Sequence, residues 1–144
     1  MTLKMTVDEM QAFLAEHFPD MTDNFIVEGL ADHQATIRLQ VGAHNLRAGN
    51  TVNGPTMFTA ADVAFYLALM AMIGPQALAV TTNCSIDFMR KPAAGCDLIA
   101  VATIHKLGRV LAVGDVMIYS EGSEKPVARA GVTYSIPPQG DQTP

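Results

Sequence analysis

The chain has no tryptophan, two cysteines among 144 residues and only 16% charged residues, and each shortage excludes something. Cys84 and Cys96 are too few and too far apart for a disulfide framework or a zinc knuckle. His17, His33, His44 and His105 show no H-x-x-x-H or H-x-H spacing, so a metal site has little support. No Walker loop, dinucleotide glycine fingerprint or G-x-S-x-G elbow occurs. Basic residues cluster no further than Arg90-Lys91 and the formal net charge is −5, which disfavours duplex nucleic acid as a partner. The N-terminus lacks the charged start, apolar run and cleavage site of a signal peptide. The uncharged run Val63 to Ile73 falls short of the roughly 20 residues a bilayer needs. These absences lead to the expectation of a reduced, cytoplasmic protein that does not cross a membrane.

What is abundant is apolar surface. Hydrophobic residues make up 49% of the chain, enough for one domain over residues 1–144 to bury a real core and hide further surface between subunits. Within this apolar background Asp62 stands out. It lies in the stretch Asn53-Gly54-Pro55-Thr56-Met57-Phe58-Thr59-Ala60-Ala61-Asp62-Val63-Ala64-Phe65, which runs on to Ile73 and stops at Gly74-Pro75. No Lys, Arg or His of that helix can pair with it, and a buried carboxylate without a partner costs several kcal/mol or more. Such a carboxylate is paired, protonated or kept for chemistry. The turn Asn53-Gly54-Pro55 puts backbone N–H groups at the helix N-terminus, where a developing anion can be held. A carboxylate and an anion hole on one element suit acyl transfer.

The flanking pattern predicts the architecture. Thr6 with Glu9 forms a capping box ahead of Met10, Phe13, Leu14 and Phe18 at helical spacing, and Pro19 ends that helix. Alternation over Phe25–Leu30 and Ala35–Val41 predicts a hairpin about Ala31-Asp32-His33. A polar stretch from Gly42 to Val52 leads into the apolar helix. Strands are then expected over Ala79–Met89, Leu98–Lys106, Val110–Tyr119 and Val127–Ile136, with a polar, frayed tail over 139–144. Hairpin connections imply an antiparallel sheet, and a helix apolar all round must be covered on nearly every side. Both demands are met by an α+β hotdog fold: a curved antiparallel sheet wrapped around one long central helix, plus a short N-terminal helix.

The motifs in this order resemble the PaaI-like (phenylacetate-pathway type) hotdog thioesterases. Asn53-Gly54-Pro55 followed by Ala61-Asp62-Val63-Ala64 matches that family's His-Gly-Gly turn and its acidic residue nine positions after the His. Thr81-Thr82-Asn83-Cys84-Ser85-Ile86-Asp87-Phe88-Met89 is similar to the family's next strand, and Lys106-Leu107-Gly108-Arg109-Val110-Leu111-Ala112-Val113 to its G-R/K-x-L-A hairpin. The resemblance spans roughly Asn45 to Ile136. It implies hydrolysis of acyl-CoA thioesters without metal or separate cofactor, CoA being part of the substrate. Sites are shared between two subunits of a homodimer, commonly within a dimer of dimers (a homotetramer). Carried over, Asp62 is the general base that activates water, or a nucleophile. The Gly54 N–H stabilises the oxyanion, Thr81 matches a serine that positions the carboxylate or water, and Arg90, Lys91 and Arg109 fall where relatives contact CoA phosphates. Arg47 lies in the loop where some relatives place an active-site Asn. The Met and Phe side chains, Met57 and Met89 among them, would accept a medium-chain or aryl acyl group.

Two departures stand out. Asn53 replaces the family His, and its amide can donate a hydrogen bond but cannot shuttle a proton. Pro55 replaces the second Gly and has no N–H. They leave a weak hydrolase and a non-catalytic acyl-CoA-binding or interaction module on the same fold as alternatives. Plain structural roles also stand beside the catalytic ones: Asn53 as a helix cap, Gly54 as a turn residue, and Thr81 and Asn83 as strand residues sharing one sheet face. His17-Phe18-Pro19 echoes a hotdog dehydratase segment, but its distance from Asp62 excludes that reading.

Overall fold

The computed structural model describes residues 2–138; the tail expected to fray, 139–144, lies outside the described residues. Helix α1 (Val7–His17) begins at Thr6, whose hydroxyl accepts from the Glu9 N–H while Glu9 accepts from the Thr6 N–H, the expected capping box. Pro19 does more than end α1. It opens a one-turn helix, α2 (Pro19–Thr22), because a residue without an N–H loses nothing in a first turn. Strands β1 (Phe25–Ala31) and β2 (Gln34–Leu39) form the predicted hairpin about Asp32-His33.

The polar stretch before the long helix is more structured than its composition suggests. A 3₁₀ turn (Ala43–Asn45) leads into a small hairpin of β3 (Leu46–Arg47) and β4 (Thr51–Val52). Its turn uses Gly49 at φ 92° and Asn50 at φ 58°, the two residue types that take the left-handed region most readily. Asn45 is buried and holds the segment together. Its Oδ1 accepts from the Gly42 N–H at 2.9 Å and Asn24 Nδ2 at 3.2 Å, and its carbonyl accepts from the Asn53 N–H at 2.8 Å. Helix α3 (Gly54–Ile73) follows and ends at Gly74, as the sequence predicts.

The remaining strands are β5 (Val80–Phe88), β6 (Leu98–Leu107), β7 (Leu111–Ser120) and β8 (Pro126–Ser135), each within one or two residues of its expected limits. The antiparallel sheet has the order β1-β2-β6-β7-β8-β5. Register shifts at Val27/Gly29, Thr81/Asn83, Ile104/Lys106 and Ile118/Tyr119 add bend and twist, and the sheet curls around α3.

The inner face shows why the helix fits. Ala100, Ala102, Ala112, Gly114, Ala128 and Ala130 pave its centre, all buried, while Ile37, Leu39, Leu98, Val116, Ile118 and Val132 fill around α3. Small residues let the helix approach closely. At Gly114 the approach is tightest: a Cβ there would overlap the Thr103 carbonyl oxygen and stand 2.7 Å from Phe65 Cε1. Gly114→Ala is therefore expected to lower stability by about 3 kcal/mol or more, since backbone cannot step aside as a side chain can. Gly131→Ala on the outer face, where a Cβ meets nothing within 4 Å, serves as the tolerated control. Urea unfolding of both variants checks this, and equal midpoints would refute it.

Strand β5 is one edge of the sheet, β1 being the other. Val80 and Phe88 near its two ends are 55% and 53% exposed, and Met89 just beyond is 44% exposed. A nine-residue strand with unpaired backbone groups and exposed apolar side chains is a ready surface for another chain.

Candidate active site

Asp62 sits on the eighth residue after the start of α3, on the side facing β5 and β8. The sequence suggests a fully buried carboxylate, but the residue is half-buried, at the mouth of a cavity. The helix lacks partners for it, and they come from the sheet instead. Thr81 Oγ1 donates to Asp62 Oδ1 at 2.6 Å, and the Tyr134 hydroxyl donates to the same oxygen at 2.8 Å while lying 3.2 Å from the Asp62 carbonyl oxygen. Among the described residues Oδ2 carries no hydrogen bond. Two donors thus fix one oxygen and leave the other open toward the cavity.

Tyr134 is the partner of Asp62 that the sequence conceals. Burial, and then the nearby Asp62 charge, push its phenol well above the ordinary tyrosine value, so the donor stays protonated across neutral pH. Burial and the same carboxylate also raise the Cys84 thiol. The neighbouring Tyr66 is pushed up to about 12 by burial. Thr81 reaches Asp62 because of the bulge in β5: Thr81 pairs with Tyr134 on the inner face, but Asn83 pairs with Thr133 on the outer one. The extra residue flips the alternation, so Asn83 does not share a face with Thr81 as simple period-two counting expects.

The cavity beside Asp62 measures about 240 Å³ and is lined by Leu14, Phe18, Val63, Tyr66, Ala79, Val80, Thr81 and Tyr134 among others. Apart from Asp62 its walls are uncharged, and three are aromatic.

The N-terminus of α3 is built differently. Asn53 is the N-cap, its Oδ1 accepting from the Thr56 N–H at 2.8 Å, so the capping role is occupied. Pro55 has no N–H. Among the described residues, the Gly54 N–H has no partner. Gly54 lines a second cavity of about 430 Å³ with Arg47, Thr51, Met57, Phe88, Met89, Arg90 and Lys91. The Thr51 hydroxyl is buried there without a hydrogen bond, an arrangement that calls for a ligand, water or partner group. Asn53 itself borders a third, polar depression with Asp20, Asp23 and His44.

One chain therefore does not gather its candidate residues. Gly54 and Asp62 are separated by about 12 Å of helix axis and line different cavities. Arg90 and Lys91 follow the end of β5, and Arg90 Nη1 donates to the Pro126 carbonyl at 2.8 Å. Arg109 lies in the β6–β7 turn near the start of β5, roughly 26 Å of strand away.

The sequence profile of the Thioesterase superfamily matches residues 49–127, from the β3–β4 turn through β7. The chain belongs to that superfamily. It is similar to the acyl-coenzyme A thioesterase PaaI of Escherichia coli (strain K12), with 34% identity over 103 residues, 71% of each chain. A crystal structure from Silicibacter sp. TM1040, assigned to the thioesterases, shares 51% identity over 96% of each chain with a TM-score of 0.89. The zebra fish thioesterase superfamily member 2 shares only 19% identity but superposes with a TM-score of 0.83, covering 93% of this chain and 100% of that one, which shows the fold. The protein is thus a thioester hydrolase of the PaaI-like hotdog type, and the one helix among the described residues long and apolar enough to span a bilayer, α3, is the core helix of that fold.

Proposed function

We propose that this thioesterase hydrolyses acyl-CoA thioesters of a medium-chain or aryl acid, in sites assembled between two copies of the chain. One observation carries the reading: Asp62 is tied to Thr81 at the start of β5, whereas Gly54 lies against Phe88 at its end. Two β5 edges paired antiparallel about a twofold axis set the start of one strand beside the end of the other. Asp62 of each copy then faces the Gly54 N–H of its neighbour across one thioester. The same operation brings Arg109 of the partner subunit toward Arg90 and Lys91, three cations suited to the phosphates of CoA. Two such dimers forming a tetramer would follow the family's habit, and the two free thiols suit a reducing cytoplasm.

In this site Asp62 Oδ2 takes a proton from water as the water oxygen attacks the thioester carbonyl carbon. The carbonyl oxygen becomes an oxyanion held by the Gly54 N–H at the positive end of α3. Collapse breaks the C–S bond, and the CoA sulfur leaves with the proton Asp62 carried, giving the free acid and thiol. Thr81 and Tyr134 are positioning residues that hold the carboxylate. A cavity without cationic walls beside Asp62 favours a neutral acyl group over one ending in a carboxylate.

Free-thiol release from short, medium, long and aryl acyl-CoAs tests the reading. Turnover strongest on neutral medium-chain or aryl acyl groups is expected. Tight binding of acyl-CoA with no release above background would instead support the non-catalytic binder that Asn53 and Pro55 leave open.

A further inference from the structure

The far wall of the cavity beside Asp62 is contributed by α1, which lies before the residues that the superfamily profile matches. Leu14 and Phe18 face the cavity from its last turn and its C-cap. Phe18 meets Tyr66 edge-on, with ring centroids 5.5 Å apart at 82°, and Phe13 packs behind both at 6.5 and 6.2 Å. This wall is anchored. Gln11 Nε2 donates to the Phe25 carbonyl at 3.1 Å and Gln11 Oε1 accepts from the Val27 N–H at 2.8 Å, fixing α1 to β1. The Lys4 N–H donates to the Ala71 carbonyl at 2.7 Å, fixing the segment before α1 to the end of α3. Phe18 also precedes Pro19, whose locked φ sets the direction in which the chain leaves.

Resting on the thioesterase reading above, we propose that α1 closes the acyl pocket and that Phe18 sets the length of acyl group it accepts. The volume of about 240 Å³ lies below the roughly 300–1,000 Å³ of sites for drug-sized ligands, so the closed end matters to any chain longer than a compact group. The lining side chains are apolar at that end, so selection there is by shape: each methylene that fits gains burial, and one that meets the Phe18 ring does not.

The experiment measures kcat/KM over linear acyl-CoAs from four to twelve carbons for wild type, Phe18→Ala, Phe18→Leu and Phe18→Trp. Phe18→Ala and Phe18→Leu are expected to raise the ratio of long-chain to short-chain kcat/KM, by about fourfold for each methylene that the vacated space admits. Phe18→Trp is expected to lower it. A ratio unmoved in all three, with rates scaled equally across chain lengths, overturns the proposal, because a purely structural Phe18 would act on every substrate alike. Circular dichroism checks folding, and Phe18→Leu keeps the test open if the alanine variant unfolds. Wild type inactive on every chain length would defeat the thioesterase reading itself, a result distinct from active wild type with an unmoved ratio.

Discussion

Asp62→Asn should lower kcat for acyl-CoA hydrolysis by about 10²–10⁴-fold, the usual worth of a positioned general base. The substitution keeps size and shape, and the amide can still accept from Thr81 and Tyr134 through its oxygen, so the helix and its cavity stay intact. What is lost is the group proposed to take the proton from water. KM should change little, because the proposed site holds the acyl group by apolar walls and the CoA phosphates by cations distant from Asp62. Steady-state thiol release under matched enzyme concentrations gives both constants. A large rise in KM with kcat preserved would show that Asp62 binds substrate rather than activating water.

The second large effect concerns Gly54. Among the described residues Gly54→Pro deletes the one first-turn N–H that is left free, after an Asn53 already in extended backbone; the new ring, whose Cβ stands 3.3 Å from Phe88 Cζ, requires that side chain to give way, so circular dichroism and the Tm accompany the kinetics. Loss of this single donor is expected to cost about 10²–10³-fold in kcat. The stronger result comes from combining two disabled chains. Co-expressed Asp62→Asn and Gly54→Pro, carrying different tags, should recover about a quarter of wild-type activity, since random pairing makes half the dimers mixed and each mixed dimer has one intact site of two. If both residues served the same thioester from one chain, no mixture could recover anything. Tag-selected mixed dimers inactive under these conditions would remove the shared-site geometry while leaving the superfamily assignment untouched.

Much of this molecule can be read from its residues in order. Helix α3 is marked at both ends by Asn53 with Pro55 and by Gly74 with Pro75, and its apolar content demands the wrapped sheet that surrounds it. Strands β6, β7 and β8 announce themselves by alternation, and Asp62 by being the one charge in a buried helix. Other features depend on contacts that local pattern does not carry. Tyr134 becomes the partner of Asp62 only because β8 lies beside β5, two strands far apart in sequence. The bulge at Thr82 cannot be inferred from a run of strand-favouring residues, yet it decides which of Thr81 and Asn83 looks inward. The β3–β4 hairpin is hidden by its brevity, since two residues per strand show no period. The half-exposure of Asp62 follows from an open sheet edge, which is a property of the whole sheet rather than of the helix.

The alanine and glycine pavement beneath α3 bears on how such a protein can diversify. Where helix and sheet touch through Cβ atoms or bare backbone, enlargement is blocked and the residues are already near the smallest available. Accepted change is thereby steered away from the helix seat and toward the rim, where α1 and the edge strand meet the cavity. A lineage acquiring a new acyl preference would be expected to record it there, in a segment preceding the residues that the superfamily profile matches, with helix α3 held still by the absence of slack.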